Sequence, residues 1–363
     1  MTVTVGVIGT SWWADAMYLP SLRAHDDVEV VAVAGRNPDR TAEFAHRWEI
    51  GAAHTNLDQF FDEPLDAVVI ASSNAAHHDN TMAALSRGLD VLCEKPLGLT
   101  TEEATEMAAA ARSAGAITLV PFTYRYMPHN RWVKSLIDDG WLGTPYHLSM
   151  RYFTDFARGG EYAWRFDRGE AGSGVIGDIG SHWLALARDF YGEITHIGAH
   201  TESFIPRAER PDGAPYERGE DSAVMTVKFA NGAYGVLHVT AVCWEGTDFG
   251  QTHDFDAHGS DGTLYATCDW STRQEVRGVR AGEPGPAAVL PIPDECWGGA
   301  RRDRVHDTYR DTFRAGGAMI GDFVDAVRTR EPVRPDFADG LRVQQLCDAA
   351  AQSAASNGVM LEV

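Results

Sequence analysis

The chain has 363 residues, 44% hydrophobic and 23% charged, with 31 Lys and Arg against 52 Asp and Glu, a formal net charge of -21 at pH 7. Such a length suggests roughly two domains at about 150 residues each. The scattered acidic excess repels phosphate backbones and anionic lipids, which argues against nucleic acid and membrane partners. The five cysteines (Cys93, Cys243, Cys268, Cys296, Cys347) stand singly. With no Cys-x-x-Cys and no disulfide framework, a reducing, cytoplasmic setting is expected. No basic-then-apolar leader opens the sequence, and no apolar run reaches the ~20 residues that span a bilayer.

Val3–Ile8 is a short apolar run, the mark of a strand buried on both faces of a parallel sheet. A helix over 14–24 and a second buried strand over Val28–Ala34 follow. Pro38 suits the first position of a further helix carrying Ala42, Phe44, Ala45 and Trp48. The alternation continues with strands at 67–71, 89–93 and 117–121 and helices at 77–87 and 101–113. It predicts a doubly wound parallel sheet, an α/β domain over 1–122.

Near Gly143 the rhythm changes. A strand at 146–153 and a long helix after Gly180 precede strands at 223–229, 234–240 and 253–257, with turn signals at Asn231-Gly232 and Asp261-Gly262. Strand runs joined by short turns predict a second, α+β domain over 123–363 with a mostly antiparallel sheet. Helices at about 315–329 and 337–356 and a last short strand end the chain, the last helix able to pack back on the first domain. The polar or turn-rich stretches 206–220 and 278–304 are expected as surface loops.

Gly9-x-Ser11-x-x-Ala14 lies between a buried strand and a helix, the setting a dinucleotide fingerprint requires. Gly9 makes the tight turn, Ala14 lets the helix pack close, and backbone N–H groups at the helix start suit a pyrophosphate. Ser11 stands where glycine is usual, with a hydroxyl to offer as a donor. The second strand ends Ala34-Gly35-Arg36-Asn37, without the acid that binds a ribose 2′-hydroxyl. Arg36 can pair with a 2′-phosphate, which favours NADP over NAD, the alternative being a solvated loop arginine.

Lys95 follows a buried strand at the sheet edge where such folds bind ligands, and Pro96 restrains it to an extended backbone. Asp178 and His182, four apart, share one helix face and can meet one reacting hydroxyl, His182 exchanging a proton near neutral pH. The alternative is a capping aspartate and a packed histidine. Glycines at 172, 174 and 177 allow close backbone packing against a ligand. Trp12-Trp13 can stack on a cofactor or wall a pocket, at least one being packing. The fourteen histidines show no metal-ligand pattern, and no metal is expected.

The nucleotide turn, Ser72-Ser73-Asn74 with His77, Glu94-Lys95-Pro96, Tyr124-Arg125-Tyr126, Trp164-Arg165 and Gly177-Asp178-x-Gly180-x-His182 occur in one order along essentially the whole chain. That order resembles the Gfo/Idh/MocA family of glucose–fructose oxidoreductases, inositol dehydrogenases and relatives. The resemblance implies a Rossmann domain and a C-terminal domain with a large open sheet that mediates homodimer or homotetramer contacts. It maps catalysis to Lys95, Asp178 and His182. Gly9, Thr10, Ser11, Trp12, Arg36, Ser72, Asn74, His77, Glu94, Lys95 and Arg165 fall at the cofactor. Lys95, Arg125, Trp164, Asp178 and His182 fall at the substrate. Two positions depart from the family pattern, Ser11 for glycine and Thr123 for asparagine.

The activity these residues imply is reversible hydride transfer between NADP or NAD and a secondary alcohol of a sugar, sugar derivative or cyclitol. Two other readings use the same scaffold. One is a redox-initiated lyase or NAD-dependent glycoside hydrolase with recycled cofactor, and the other a non-catalytic NAD(P)-sensing regulator.

Overall fold

The computed structural model describes residues 2–314 and 318–363. The chain divides into two compact units, Met1–Pro121 with Arg310–Gln344, and Phe122–Tyr309 with Gln345–Val363. The first unit is therefore discontinuous, which strand–helix alternation has no means of signalling.

In the first unit six strands, β1 (Val3–Ile8), β2 (Val28–Ala34), β3 (Ala52–His54), β4 (Ala67–Ile70), β5 (Asp90–Cys93) and β6 (Thr118–Leu119), form one sheet. It is parallel throughout, in the order β3-β2-β1-β4-β5-β6. The strand order reverses at β1, so a crevice opens beyond the C-terminal ends of β1 and β4. Continuous burial of β4 and β5 matches their apolar residues, and the one polar member, Asp90, accepts from Ile117 N–H and from Arg330. β3 is too short for a run and escaped the sequence reading.

The later segment locks onto this sheet through polar contacts. Arg330 donates to Asp90 Oδ2 at 2.5 Å and to the Gly115 carbonyl at 3.0 Å. Val120 N–H reaches the Pro335 carbonyl at 2.8 Å. The helix expected at 315–329 is observed over Met319–Thr329, and its first three residues lie outside the described ones.

In the second unit nine strands form one sheet: β7 (Pro145–Thr154), β8 (Ile194–Glu202), β9 (Ser222–Phe229), β10 (Tyr234–Thr240), β11 (Gln251–Gly259), β12 (Gly262–Asp269), β13 (Arg273–Arg280), β14 (Ala288–Val289) and β15 (Leu361–Glu362). The order is β14-β13-β12-β11-β7-β10-β9-β8-β15, antiparallel except for the parallel pair β10 and β7. Strict alternation of burial in β12 leaves one face covered and one half open. Helix Ser181–Tyr191 buries Trp183, Leu184, Leu186, Ala187 and Phe190.

Two expected surface loops are more ordered than their composition suggests. Within 206–220, Arg207 is buried on the Phe166 ring at 3.8 Å and donates to the Ala157 carbonyl. Buried Asp221 accepts from the N–H groups of Phe204 and Ile205. Buried charges with full sets of partners draw the polar stretch inward. The segment 278–304 holds the end of β13, all of β14 and a helical turn Asp294–Trp297. Helices Pro128–Asp138 and Val305–Arg314 were also unanticipated. Among the described residues no helix is long and apolar enough to cross a membrane.

Burial makes three histidines acid-sensitive. Desolvation pushes His77 and His129 each down to about 4, and His253 well below its ordinary range. The unfolded chain, with His near 6.5, binds more protons than the folded one as pH falls, so stability is complete above 6.5 and drains away toward 4. His77 and His129 together account for about 3 kcal/mol lost between pH 6.5 and 5. Melting temperatures measured from pH 7.5 to 5 should therefore fall steadily. His129→Gln should flatten the slope, and an unchanged slope in that variant would contradict the account.

Candidate functional site

Gly9 leaves β1 at φ 122°, a region L side chains rarely adopt, and its N–H donates to the Ala34 carbonyl at 2.8 Å. A Cβ built there would sit 2.3 Å from the Ala71 carbonyl oxygen, so the turn requires glycine. Thr10 is buried behind it. The Ser11 hydroxyl accepts from Ala14 N–H and donates to the Ala71 carbonyl, both at 3.3 Å. The extra hydroxyl thus caps the helix of its own turn rather than standing free as a donor.

The helix after the turn is not a plain α-helix. Ala14–Tyr18 is a π turn, with Leu19 N–H bonded to the Ala14 carbonyl. In an α-helix, residues five apart point about 140° away from each other. The wider turn brings Trp13 and Tyr18 to one carboxylate. The Trp13 indole N–H and the Tyr18 hydroxyl donate to Glu94 Oε1 at 2.6 and 2.5 Å, and Lys95 N–H donates to Oε2 at 3.1 Å.

Burial holds the Glu94 carboxyl above the usual range, against the pull of the Lys95 charge and of these donors. Hydrogen bonds to a charged group are worth about 1.5–3 kcal/mol each, enough for three donors to offset much of that cost. Trp13 also packs edge-on to Phe313 at 5.9 Å, whereas Trp12 is 62% exposed. Of the tryptophan pair, Trp13 is therefore the anchored one. Tyr18 has no sequence signal, because the spacing of five exists only in the π turn.

Lys95 follows β5 half-buried at the crevice end of the sheet, and the Lys95–Pro96 peptide is cis. His77 Nδ1–H donates to the Pro96 carbonyl at 2.9 Å, tying this turn to the 72–77 loop. Ser72 Oγ accepts from buried Asn80 at 3.1 Å, and buried Asn74 opens the 3-10 turn Asn74–Ala76. Arg36 is exposed just past β2, and Asn37 caps the next helix by accepting from Arg40 N–H. These predicted residues all line the C-terminal edge of the first unit's sheet.

The second unit gathers the others. Ile176–Gly180 is a further π turn that runs directly into helix Ser181–Tyr191, so Asp178 and His182 occupy successive turns of one helical run. Single π turns are frequent at functional sites. Arg165 Nε lies 3.5 Å from Asp178 Oδ2, and its guanidinium stacks on Trp164 at 4.7 Å. Asp167, accepting from the Tyr162 hydroxyl at 3.0 Å and from Arg210 at 2.8 Å, anchors the turn that carries this pair.

His182 is buried edge-on to Tyr124, ring centroids 4.7 Å apart, and its Nδ1 is enclosed. Arg125 does not join the cluster around Asp178. It pairs with Asp189 at 3.3 Å, farther along the helix. Nor do the glycines all wait for a ligand. Gly174 lies so close to the Glu220 backbone that a Cβ would be 2.0 Å from its carbonyl oxygen. Glu220 Oε1 accepts from the N–H groups of Gly174 and Ile176 at 2.9 and 3.0 Å, capping the helical run. Glu220 was missed because its own stretch reads as a polar loop.

Residues 3–122 match the profile of an oxidoreductase family with an NAD-binding Rossmann fold, and residues 130–265 that of the Gfo/Idh/MocA C-terminal domain. The chain is 32% identical over 261 residues, 71% of its length and 74% of the relative's, to the 1,5-anhydro-D-fructose reductase of Ensifer adhaerens. The chain belongs to the Gfo/Idh/MocA oxidoreductase family. It is also 28% identical over 358 residues, 89% of this chain and 87% of the other, to the levoglucosan dehydrogenase of Pseudarthrobacter phenanthrenivorans. A solved levoglucosan dehydrogenase complex with NADH and levoglucosan superposes with a TM-score of 0.86 at 26% identity, covering 100% of both chains.

The Rossmann domain of this Gfo/Idh/MocA protein fits a dinucleotide on its own geometry. The Gly9 turn has no room for a Cβ, and the N–H groups of Ser11 and Trp12 at the helix start meet no acceptor among the described residues. Gly9→Ala should weaken NADH binding about tenfold or more, read by fluorescence titration. Unchanged affinity would remove the turn from the cofactor site. Among the described residues no group of three His, Cys, Asp or Glu side chains is placed to hold a metal.

Proposed function

We propose that the protein is an NAD(P)-dependent dehydrogenase or ketoreductase acting on a secondary alcohol, or the matching ketone, of a sugar, sugar derivative or cyclitol. The observation that carries this reading is the Asp178–His182 helical run, with Asp178 paired to Arg165, in a chain whose parallel sheet presents Glu94-Lys95 at its crevice edge. Relatives named for levoglucosan, 1,5-anhydrofructose and D-apiose support a sugar substrate.

When bound, the nicotinamide supplies uptake and release of hydride at the carbinol carbon. The N–H groups of Ser11 and Trp12 would hold the pyrophosphate, and Ser72, Asn74, His77, Glu94 and Arg165 would shape the rest of that site. Lys95 donates to the carbinol oxygen, and its charge stabilises that oxygen as its proton departs. His182 takes the proton and returns it in the reverse direction. Its enclosed Nδ1 leaves Nε2 for the exchange. Asp178 holds a neighbouring substrate hydroxyl and helps orient His182, while Trp164 and Arg125, the latter anchored by Asp189, bound the substrate.

Exposed Arg36, with no acid at the end of β2, favours NADP over NAD. Apolar side chains on the open sheet face, Tyr234 (58% exposed) and Val236 among them, support a homodimer or homotetramer. Light scattering that returned a monomer would remove that part. Five free cysteines support a cytoplasmic setting.

The test is titration with NADPH and NADH, then oxidation of a sugar and cyclitol panel followed at the nicotinamide absorbance. Turnover on one sugar class is the expected result, with tighter NADPH binding if Arg36 reads the 2′-phosphate. Bond cleavage without net reduced cofactor would replace the reading by the lyase, and binding without any turnover by the regulator.

A further inference from the structure

We propose that Tyr124 is a positioning residue for the His182 imidazole, a strut that transmits the rigidity of the second unit's sheet to the proton-exchanging ring. The proposal rests on His182 having that role. Tyr124 lies in the 3-10 turn Thr123–Tyr126, where its backbone is pinned by Asn130 Nδ2 donating to its carbonyl at 2.9 Å. Its ring stands perpendicular to that of His182, at 86° and 4.7 Å, with Phe122 edge-on to the same imidazole at 6.2 Å.

At the far end of the ring, the Tyr124 hydroxyl meets the Tyr152 hydroxyl at 2.7 Å, and the His253 ring stands edge-on to Tyr124 at 5.0 Å. Gln251 bonds His253 Nε2 at 3.0 Å. Tyr152 is on β7 and both Gln251 and His253 are on β11, and Tyr152 pairs directly with His253 across these hydrogen-bonded strands. The strut thus ends on two strands near the middle of the sheet.

Simple core packing does not account for the hydroxyl. A phenylalanine would fill the same space without burying an O–H, whereas here a chain of buried polar groups must be satisfied together. Networks of this kind rigidify what they hold. Proton transfer is sensitive to placement on the scale of an ångström, where misplacement costs up to about a hundredfold in rate. Tyr124 supplies the wall that selects one ring orientation.

The experiment compares Tyr124→Leu, Tyr124→Phe and Tyr152→Phe in the full-length enzyme, with the sugar oxidised best in the panel above. Tyr124→Leu should lower kcat about 30-fold, leave the substrate KM and NADH affinity within about threefold, and raise the solvent deuterium isotope effect on kcat. The two phenylalanine variants keep the aromatic wall but cut the hydroxyl link to the sheet, so each should lose about threefold in kcat with a smaller rise in the isotope effect, Tyr124→Phe rescuing most of the leucine defect. A leucine variant with wild-type kcat and isotope effect overturns the proposal, as does a defect confined to KM.

His182→Gln is the control. If it is inactive while Tyr124→Leu is not, only this inference fails. If His182→Gln is itself fully active, the assignment of His182 falls and this inference with it. Should the leucine variant not fold, wild-type kcat and isotope effects in both phenylalanine variants overturn the strut.

Discussion

Lys95→Met is expected to lower kcat by about a thousandfold while NADH affinity stays within about threefold of wild type. Methionine keeps most of the stem's volume and removes the charge and the donor. The loss therefore falls on the interaction that strengthens as the carbinol oxygen gives up its proton. The backbone contact survives, since Lys95 donates to Glu94 Oε2 through its main-chain N–H.

A second effect has a defined sign. The Lys95 charge pulls the Glu94 carboxyl downward against burial, so its removal pushes that carboxyl further up. Part of the loss could then belong to Glu94. Lys95→Arg separates the two, because it restores the charge near Glu94 but replaces a point donor with a planar fork. Loss of activity in both variants places the requirement at the lysine's own donor geometry. Near-normal turnover in Lys95→Met would end the assignment of Lys95 to the chemistry, whatever the cofactor binding.

The fold was legible where burial is continuous. β1, β2, β4 and β5 read as mainly apolar stretches, broken only by Thr4, Glu29 and Asp90, because parallel strands covered on both faces leave few polar positions, and their order gives the sheet. β13, Arg273–Arg280, was illegible for the converse reason, since half its residues face solvent and three are arginines. The polar loop around Arg207 and Glu220 hides its buried charges, whose partners come from distant parts of the chain. Helical periodicity fails at both π turns, Ala14–Tyr18 and Ile176–Gly180, where candidate residues lie. Trp13 and Tyr18 converge on Glu94 only because one residue is inserted in the turn.

Motif order singled out Lys95, Asp178 and His182 as candidates, but not what holds them. The Arg165–Asp178 pair, the Arg125–Asp189 pair and the Glu220 cap join residues 13, 64 and more than 40 positions apart. No local rule reaches across such separations. Arg125 shows the consequence. Its motif position suggests a ligand contact, while the carboxylate on the adjoining helix that anchors its guanidinium has no local signal.

His182→Gln should lower kcat by about 10²–10⁴, the range over which a positioned general base contributes. Glutamine preserves the hydrogen-bonding reach of the ring and much of its volume beside Tyr124 and Phe122, yet cannot exchange a proton at neutral pH. The smaller His182→Ala variant leaves an aromatic-walled space where the imidazole stood. Added imidazole should restore part of the lost rate there. Across a series of substituted imidazoles, the restored rate should rise with basicity, as Brønsted behaviour requires of a proton acceptor. A rescue independent of basicity would mean that the ring fills space and orders the substrate. Wild-type turnover in His182→Gln would move the proton to another group, with Asp178, one turn away and already paired to Arg165, as the next to test.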